Sequence, residues 1–112
     1  MHIINVKTPS RTSMIDITSK IQEIVRKEGK ESGVCYVFVP HTTAGLTINE
    51  NADPDVVDDI LKEINKIVPF DDGYKHCEGN SAAHIKASMF GFSQNILIEN
   101  GRLVLGRWQG IY

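Results

Sequence analysis

Three of the four histidines in this chain lie inside two dense polar blocks. The first runs from His41 through Thr42, Thr43, Asn49, Glu50 and Asn51 to Asp53, and the second from His76 through Cys77, Glu78, Asn80 and Ser81 to His84. Imidazoles and carboxylates ligate metals and move protons, while hydroxyls and helix N-termini hold phosphate. The simplest reading is one site built from both blocks. His41, His76 and His84 are the candidate metal ligands, with Glu50 and Glu78 as carboxylate partners. Three protein ligands and an open position is the pattern of a catalytic zinc site. Imidazole suits zinc and other first-row divalent ions, with manganese or magnesium as alternatives. The competing reading is that these histidines are hydrogen-bonded structural groups, because His76 and His84 stand eight positions apart and match no compact motif on one helix. His2 lies outside both blocks and reads as a surface residue.

Phosphate is the second chemistry. A helix beginning near Asn80 and Ser81 would offer unpaired N–H groups and a partial positive charge, with Lys86 further along it. Thr42 and Thr43 add hydroxyls beside the flexible Gly45. The plainer alternative is that Asn80 or Ser81 only caps the helix. The acidic run Asp53, Asp55, Asp58, Asp59 is mostly explained by capping and a solvated face, with Asp58 expected to pair with Lys62 four positions on. If the segment around Cys77 is extended, His76, Glu78 and Asn80 share one face and Cys77 turns to the core. Trp108 is a core or interface residue, or a platform on which a ring could stack. No nucleophile elbow, dinucleotide fingerprint or phosphate-loop pattern occurs.

The elements that must position these residues follow from local pattern. Residues 1–8 alternate as a strand. Asp16 or Thr18 caps a helix to about Glu28, with Ile17, Ile21, Ile24 and Val25 on its apolar side. Val34 to Val39 reads as a buried strand ended by Pro40, and Leu46 to Asn49 as another. Asp53 as cap, Pro54 at the first helical position and the Val57-Ile60-Leu61-Ile64-Val68 stripe mark a second helix, stopped by Pro69. A third helix runs from Asn80 or Ser81 through Ser88 and ends by Gly91. Ile96–Ile98 and Leu103–Leu105 flank Asn100-Gly101, the strongest short hairpin signal. Trp108–Tyr112 would complete the sheet. Strands at both ends with helices between indicate one α+β domain over residues 1–112.

Composition bounds the rest. With 112 residues, 41% hydrophobic, 23% charged and a formal charge of −2, the chain suits a single soluble domain. It has no basic run for nucleic acid, no apolar stretch able to span a bilayer and no secretory leader, so a cytoplasmic location is expected. Two cysteines are too few for a disulfide framework, and Cys35 reads as a small core residue.

The two blocks, together with Ala83-His84-Ile85-Lys86-Ala87-Ser88 and Gly106-Arg107-Trp108-Gln109-Gly110-Ile111-Tyr112, resemble the signature of the YjbQ family over essentially the whole chain. That family is commonly labelled secondary thiamine-phosphate synthase. The resemblance implies a β-sandwich-like α+β fold with flanking helices, a homotrimer and a polar site containing the histidines, which holds a metal in some members. It implies a transferase joining hydroxymethylpyrimidine diphosphate to thiazole phosphate, releasing pyrophosphate. His41, His76, His84 and Lys86 would then balance phosphate charge, while Asn49, Glu50 and Glu78 orient a ring or ligate an ion. Family members run on past the Trp-Gln-Gly-Ile-Tyr segment, and lack of a last strand after Tyr112 would leave a sheet edge open. Two other functions compete. A His/Glu metal centre could hydrolyse a phosphoester or amide, with Glu50 or Glu78 as base. A non-catalytic trimer could bind a metal or a small anion.

Overall fold

A computed structural model describes all 112 residues. Three helices and five short strands follow in the order α1 (Thr18–Glu28), β1 (Ser32–Phe38), β2 (Ile48–Glu50), α2 (Pro54–Ile67), α3 (Ser81–Phe90), β3 (Ser93–Glu99), β4 (Arg102–Leu103) and β5 (Gln109–Ile111). The fold is mixed α+β with antiparallel sheets, as the alternating patterns indicate.

Local chemistry explains the helices. Asp16 caps α1 from just outside it: its Oδ1 accepts from the Thr18 amide at 2.9 Å and from the Thr18 hydroxyl at 2.5 Å. Gly29 ends α1 in the left-handed region and donates to the Arg26 carbonyl, a conformation that favours glycine. Asp53 caps α2 by accepting from the Asp55 amide at 2.9 Å, and Pro54 takes the first helical position. The expected Asp58–Lys62 pair does not form; on this helix Lys66 instead approaches Glu63 at 3.7 Å. Both lie on a solvated face, where such pairs hold side chains weakly against their own rotamer entropy.

The sheets depart from the sequence reading in three ways. Residues 1–8 form no strand, because alternation makes a strand only where a partner accepts the ladder; Ile3 is 76% exposed. β1 is not buried on both sides. It pairs with β3 from Ser32↔Glu99 to Phe38↔Ser93, with Cys35 and Val37 turned to the core and Val34, Tyr36 and Phe38 to solvent. β5 does not extend the β3–β4 hairpin. It crosses to pair with β2, so the molecule has a three-stranded sheet ordered β1-β3-β4 and a two-stranded sheet of β2 and β5.

One core holds these parts together. Ile17, Ile21 and Val25 from α1 and its approach pack with Leu46, Ile96, Leu103 and Ile111, so both sheets and the helix share it. Hydrogen bonds lock the contact. The Gln22 amide donates to the Gly101 carbonyl at 3.1 Å, and its Oε1 accepts from the Leu103 amide at 3.0 Å. The Thr18 hydroxyl accepts from the Ile111 amide at 2.8 Å. The remaining buried apolar residues, Ile64, Val68 and Ala82, lie on α2, just after it and on α3, outside that cluster.

Candidate functional site

The second polar block builds a cleft at the start of α3. The helix begins because Asn80 leaves the helical region and its carbonyl accepts from the Ala83 and His84 amides, at 3.0 and 3.4 Å. His84 therefore stands in the first full turn of α3. His76 meets it edge to face, with ring centroids 5.4 Å apart and planes at 82°. The two rings line a cleft of 570 Å³ with Tyr74, Lys75, Ser81 and Ile85. Tyr74 holds its segment in place by donating its hydroxyl to the Pro69 carbonyl at 2.7 Å.

The segment between the histidines is a turn, not an extended strand. Gly79 sits at φ +76° and donates to the His76 carbonyl at 3.2 Å. Alternation therefore fails, and the expectation of a core-facing Cys77 with it: Cys77 is exposed, as is Glu78. Cys35 is half-buried against the core as expected, and burial pushes its thiol up from the ordinary range. Asn80 occupies the cap position of α3 but makes no capping bond, and its Oδ1 is buried with no hydrogen-bond partner. An unsatisfied buried acceptor is costly and asks for a reason in function or a bound donor.

Lys86 is not at the histidine cleft. Two positions after His84, it projects from a different side of α3 and is only 8% exposed. Its Nζ donates to Asn65 Oδ1 at 2.5 Å and to Thr12 Oγ1 at 3.2 Å, and lies 4.2 Å from the Phe70 ring centroid. The Arg11 guanidinium lies 3.8 Å from the same centroid. Burial first, and Arg11 second, push the Lys86 amine below the ordinary lysine range. No sequence signal links Lys86 to Thr12 or Asn65, which lie 74 and 21 residues away.

The first block attaches to the other end of the same helix. The Leu46 amide donates to the Gly91 carbonyl at 3.0 Å. A Cβ on Gly45 would fall 2.9 Å from that carbonyl oxygen and 3.1 Å from Phe90 Cβ, so only glycine permits the approach. The ten residues of α3 span about 15 Å, which separates the two blocks along it. His41, Thr42 and Thr43 are exposed in the connection after β1. Asn49 is exposed, and its Oδ1 accepts from the Glu50 amide at 2.7 Å. Glu50 is half-buried, and its carbonyl accepts from the Tyr112 hydroxyl at 3.1 Å. Tyr112 is pushed up by burial, then by Asp16 and Glu50. Trp108 is 54% exposed, with the Arg107 guanidinium 5.0 Å from its ring. His2 is exposed and pairs with Glu28 at 2.5 Å.

The structure thus brings together His76, His84 and Ser81, with Tyr74 and Lys75, which the sequence reading passed over although they directly precede His76. It does not bring His41 to them: no three His, Cys, Asp or Glu side chains converge as metal ligands. Two imidazoles fall short of the three protein ligands of a catalytic zinc site, so the residues of one chain do not by themselves fit that group. What one chain presents at this cleft is two imidazoles, an amine, a hydroxyl and a helix N-terminus.

Comparison with known proteins agrees with this arrangement of elements. The family described as UPF0047 protein YjbQ-like matches residues 2–112. The chain is 49% identical to the UPF0047 protein YugU of Bacillus subtilis over 110 residues, covering 97% of this chain and 83% of that protein. It is 46% identical to MJ1081 of Methanocaldococcus jannaschii over 107 residues, covering 96% and 78%. A crystal structure from Clostridium acetobutylicum superposes with a TM-score of 0.85 at 60% identity, covering 88% of this chain and 76% of that one. One from Sulfolobus solfataricus gives 0.89 at 33% identity, covering 95% and 78%. The chain belongs to the YjbQ-like UPF0047 family.

Proposed function

We propose that this chain is a transferase of the thiamine-phosphate synthase type, with the His76–His84 cleft holding the diphosphate that leaves. The observation that carries this reading is the meeting of the two rings at 5.4 Å over the start of α3, in an open cleft beside Lys75 and Ser81. In the reaction the bond between the pyrimidine methylene carbon and the diphosphate oxygen breaks. The thiazole nitrogen forms a new bond to that carbon, and pyrophosphate departs with the electron pair. Imidazole N–H groups, the Lys75 ammonium and the helix N-terminus stabilise the charge growing on the leaving oxygens. Ser81 contributes a hydroxyl. A divalent metal, where one binds, would neutralise further diphosphate charge. Its remaining ligands would have to come from beyond the two imidazoles of one chain.

The same reading includes a homotrimer. Its support is the open apolar face of β1 and β3, where Val34, Tyr36, Phe38 and Leu97 are 44–76% exposed and Phe92 adds a ring beside Phe38. A contiguous apolar face of this kind marks a contact surface. The two sheets act as the layers of a sandwich, supported by the single cluster in which Ile96 and Leu103 of one sheet meet Ile111 of the other.

The test is pyrophosphate release from hydroxymethylpyrimidine diphosphate with thiazole phosphate as acceptor. Release that needs both substrates, and that falls at least about a hundredfold in His84→Ala, supports transfer. Phosphate release without acceptor would instead indicate a hydrolase, and tight binding without turnover a binding protein.

A further inference from the structure

We propose that a second cleft, of 490 Å³ at the C-terminal end of α1, is a binding site for a small organic phosphomonoester. It shares no lining residue with the histidine cleft. Arg26 in the last turn of α1, Lys30 in the following turn and Arg102 from the β3–β4 hairpin converge on it, against one acid, Glu31. None of the three cations is paired: the molecule's ion pairs are His2–Glu28, Lys27–Glu23 and Lys66–Glu63. The α1 C-terminus opposes an anion with about half an elementary charge, and Glu31 with a full one. Three cations outweigh both.

The frame of the cleft is fixed. Gln22 bridges α1 to the hairpin with bonds of 3.1 Å to the Gly101 carbonyl and 3.0 Å from the Leu103 amide. The Gly101 amide donates to the Glu31 carbonyl at 3.1 Å, closing the opposite wall. The backbone that carries the three cations is therefore set before a ligand arrives. Two guanidinium forks and an ammonium suit the doubly charged phosphate of a monoester better than a single carboxylate. The cleft exceeds the size of bare phosphate and falls within the roughly 300–1,000 Å³ of small-molecule sites.

The experiment is residue-resolved amide NMR of the full chain, titrated separately with glycerol phosphate, inorganic phosphate and succinate. Expected is saturable movement of the Gly29, Glu31, Gly101 and Arg102 amides, with glycerol phosphate binding about tenfold more tightly than succinate, a difference of about 1.4 kcal/mol. Bare phosphate binds more weakly than the ester. The Arg26→Gln/Arg102→Gln double variant weakens binding at least about tenfold. Lys30→Gln, a single exposed change, weakens it in the same direction and serves if the double variant does not fold. His84→Ala binds glycerol phosphate at this cleft as wild type does, so failure of the transferase reading leaves this result standing. Three results overturn the proposal: no saturable movement, movement confined to Tyr74–Ile85, or equal binding of succinate or bare phosphate and glycerol phosphate.

Discussion

The half of the molecule built on α1 and the half built on α2 and α3 are held by different means. Around α1, seven apolar residues form one cluster, and the side chains of Gln22 and Thr18 bond the helix to both sheets. Around α2 and α3, burial is thin: Ile64, Val68 and Ala82 are covered, and the other buried side chain is a lysine with no carboxylate partner. The first half carries most of the buried scaffold, and the second carries the histidine cleft. A site needs polar groups that keep unspent bonding capacity, and Asn80 Oδ1, His76 and His84 have it. A scaffold needs the opposite, and the Gln22 amide uses both its donor and its acceptor inside the fold.

The largest break of this contrast comes from the scaffold. Ile111→Ala, at a fully buried position, is expected to destabilise by about 2–5 kcal/mol. His84→Ala, on the site side, should shift stability by no more than about 0.5 kcal/mol. Urea denaturation of both variants checks the difference, and equal losses would erase the distinction. Gly45→Ala comes next. Its methyl would meet the Gly91 carbonyl oxygen at 2.9 Å, costing about 1–3 kcal/mol. Because the first block hangs on the end of α3 there, the amide signals of His41–Thr47 should move more than those of α1. Asp53→Ala removes the α2 cap and should cost about 1 kcal/mol, read as a lower thermal midpoint.

The smallest effect is one of slope. Lys86 has a folded pKa below its unfolded value near 10.5. The unfolded chain therefore binds more protons between the two values, and stability rises with pH across that window. The contribution is present above the unfolded value and lost as pH falls through the folded one. Cys35 and Tyr112, both pushed up, act in the opposite sense, losing their contribution as pH rises past their folded values. They are common to wild type and Lys86→Met, so the difference between the two isolates the lysine. Wild type should gain on Lys86→Met as pH rises from neutral towards 10.5; a flat difference would show that burial does not shift this amine.

Much of the scaffold was legible in the sequence, and the reasons are local. The Asp53-Pro54 start of α2, the end of α1 at Glu28 and the Asn100-Gly101 hairpin depend on a few neighbouring residues, and each formed where expected. What failed depended on partners. Residues 1–8 alternate but find no strand to pair with, and β5 chose β2 over the hairpin beside it. Cys77 was misplaced because Gly79 folds its segment into a turn. The site was half legible: His76 and His84 converge, but nothing near His41 shows that its block docks on the far end of α3, and Lys86 finds its partners at long range.

The most direct test of the histidine cleft is a pyrophosphate titration followed at the amides of Tyr74–Ile85, in wild type and in His84→Ala. The account predicts saturable movement in wild type and at least about tenfold weaker binding at those amides in the variant, with the fold intact. Equal binding by both proteins, or movement only around Arg26 and Arg102, would contradict the claim that His76 and His84 form the diphosphate site.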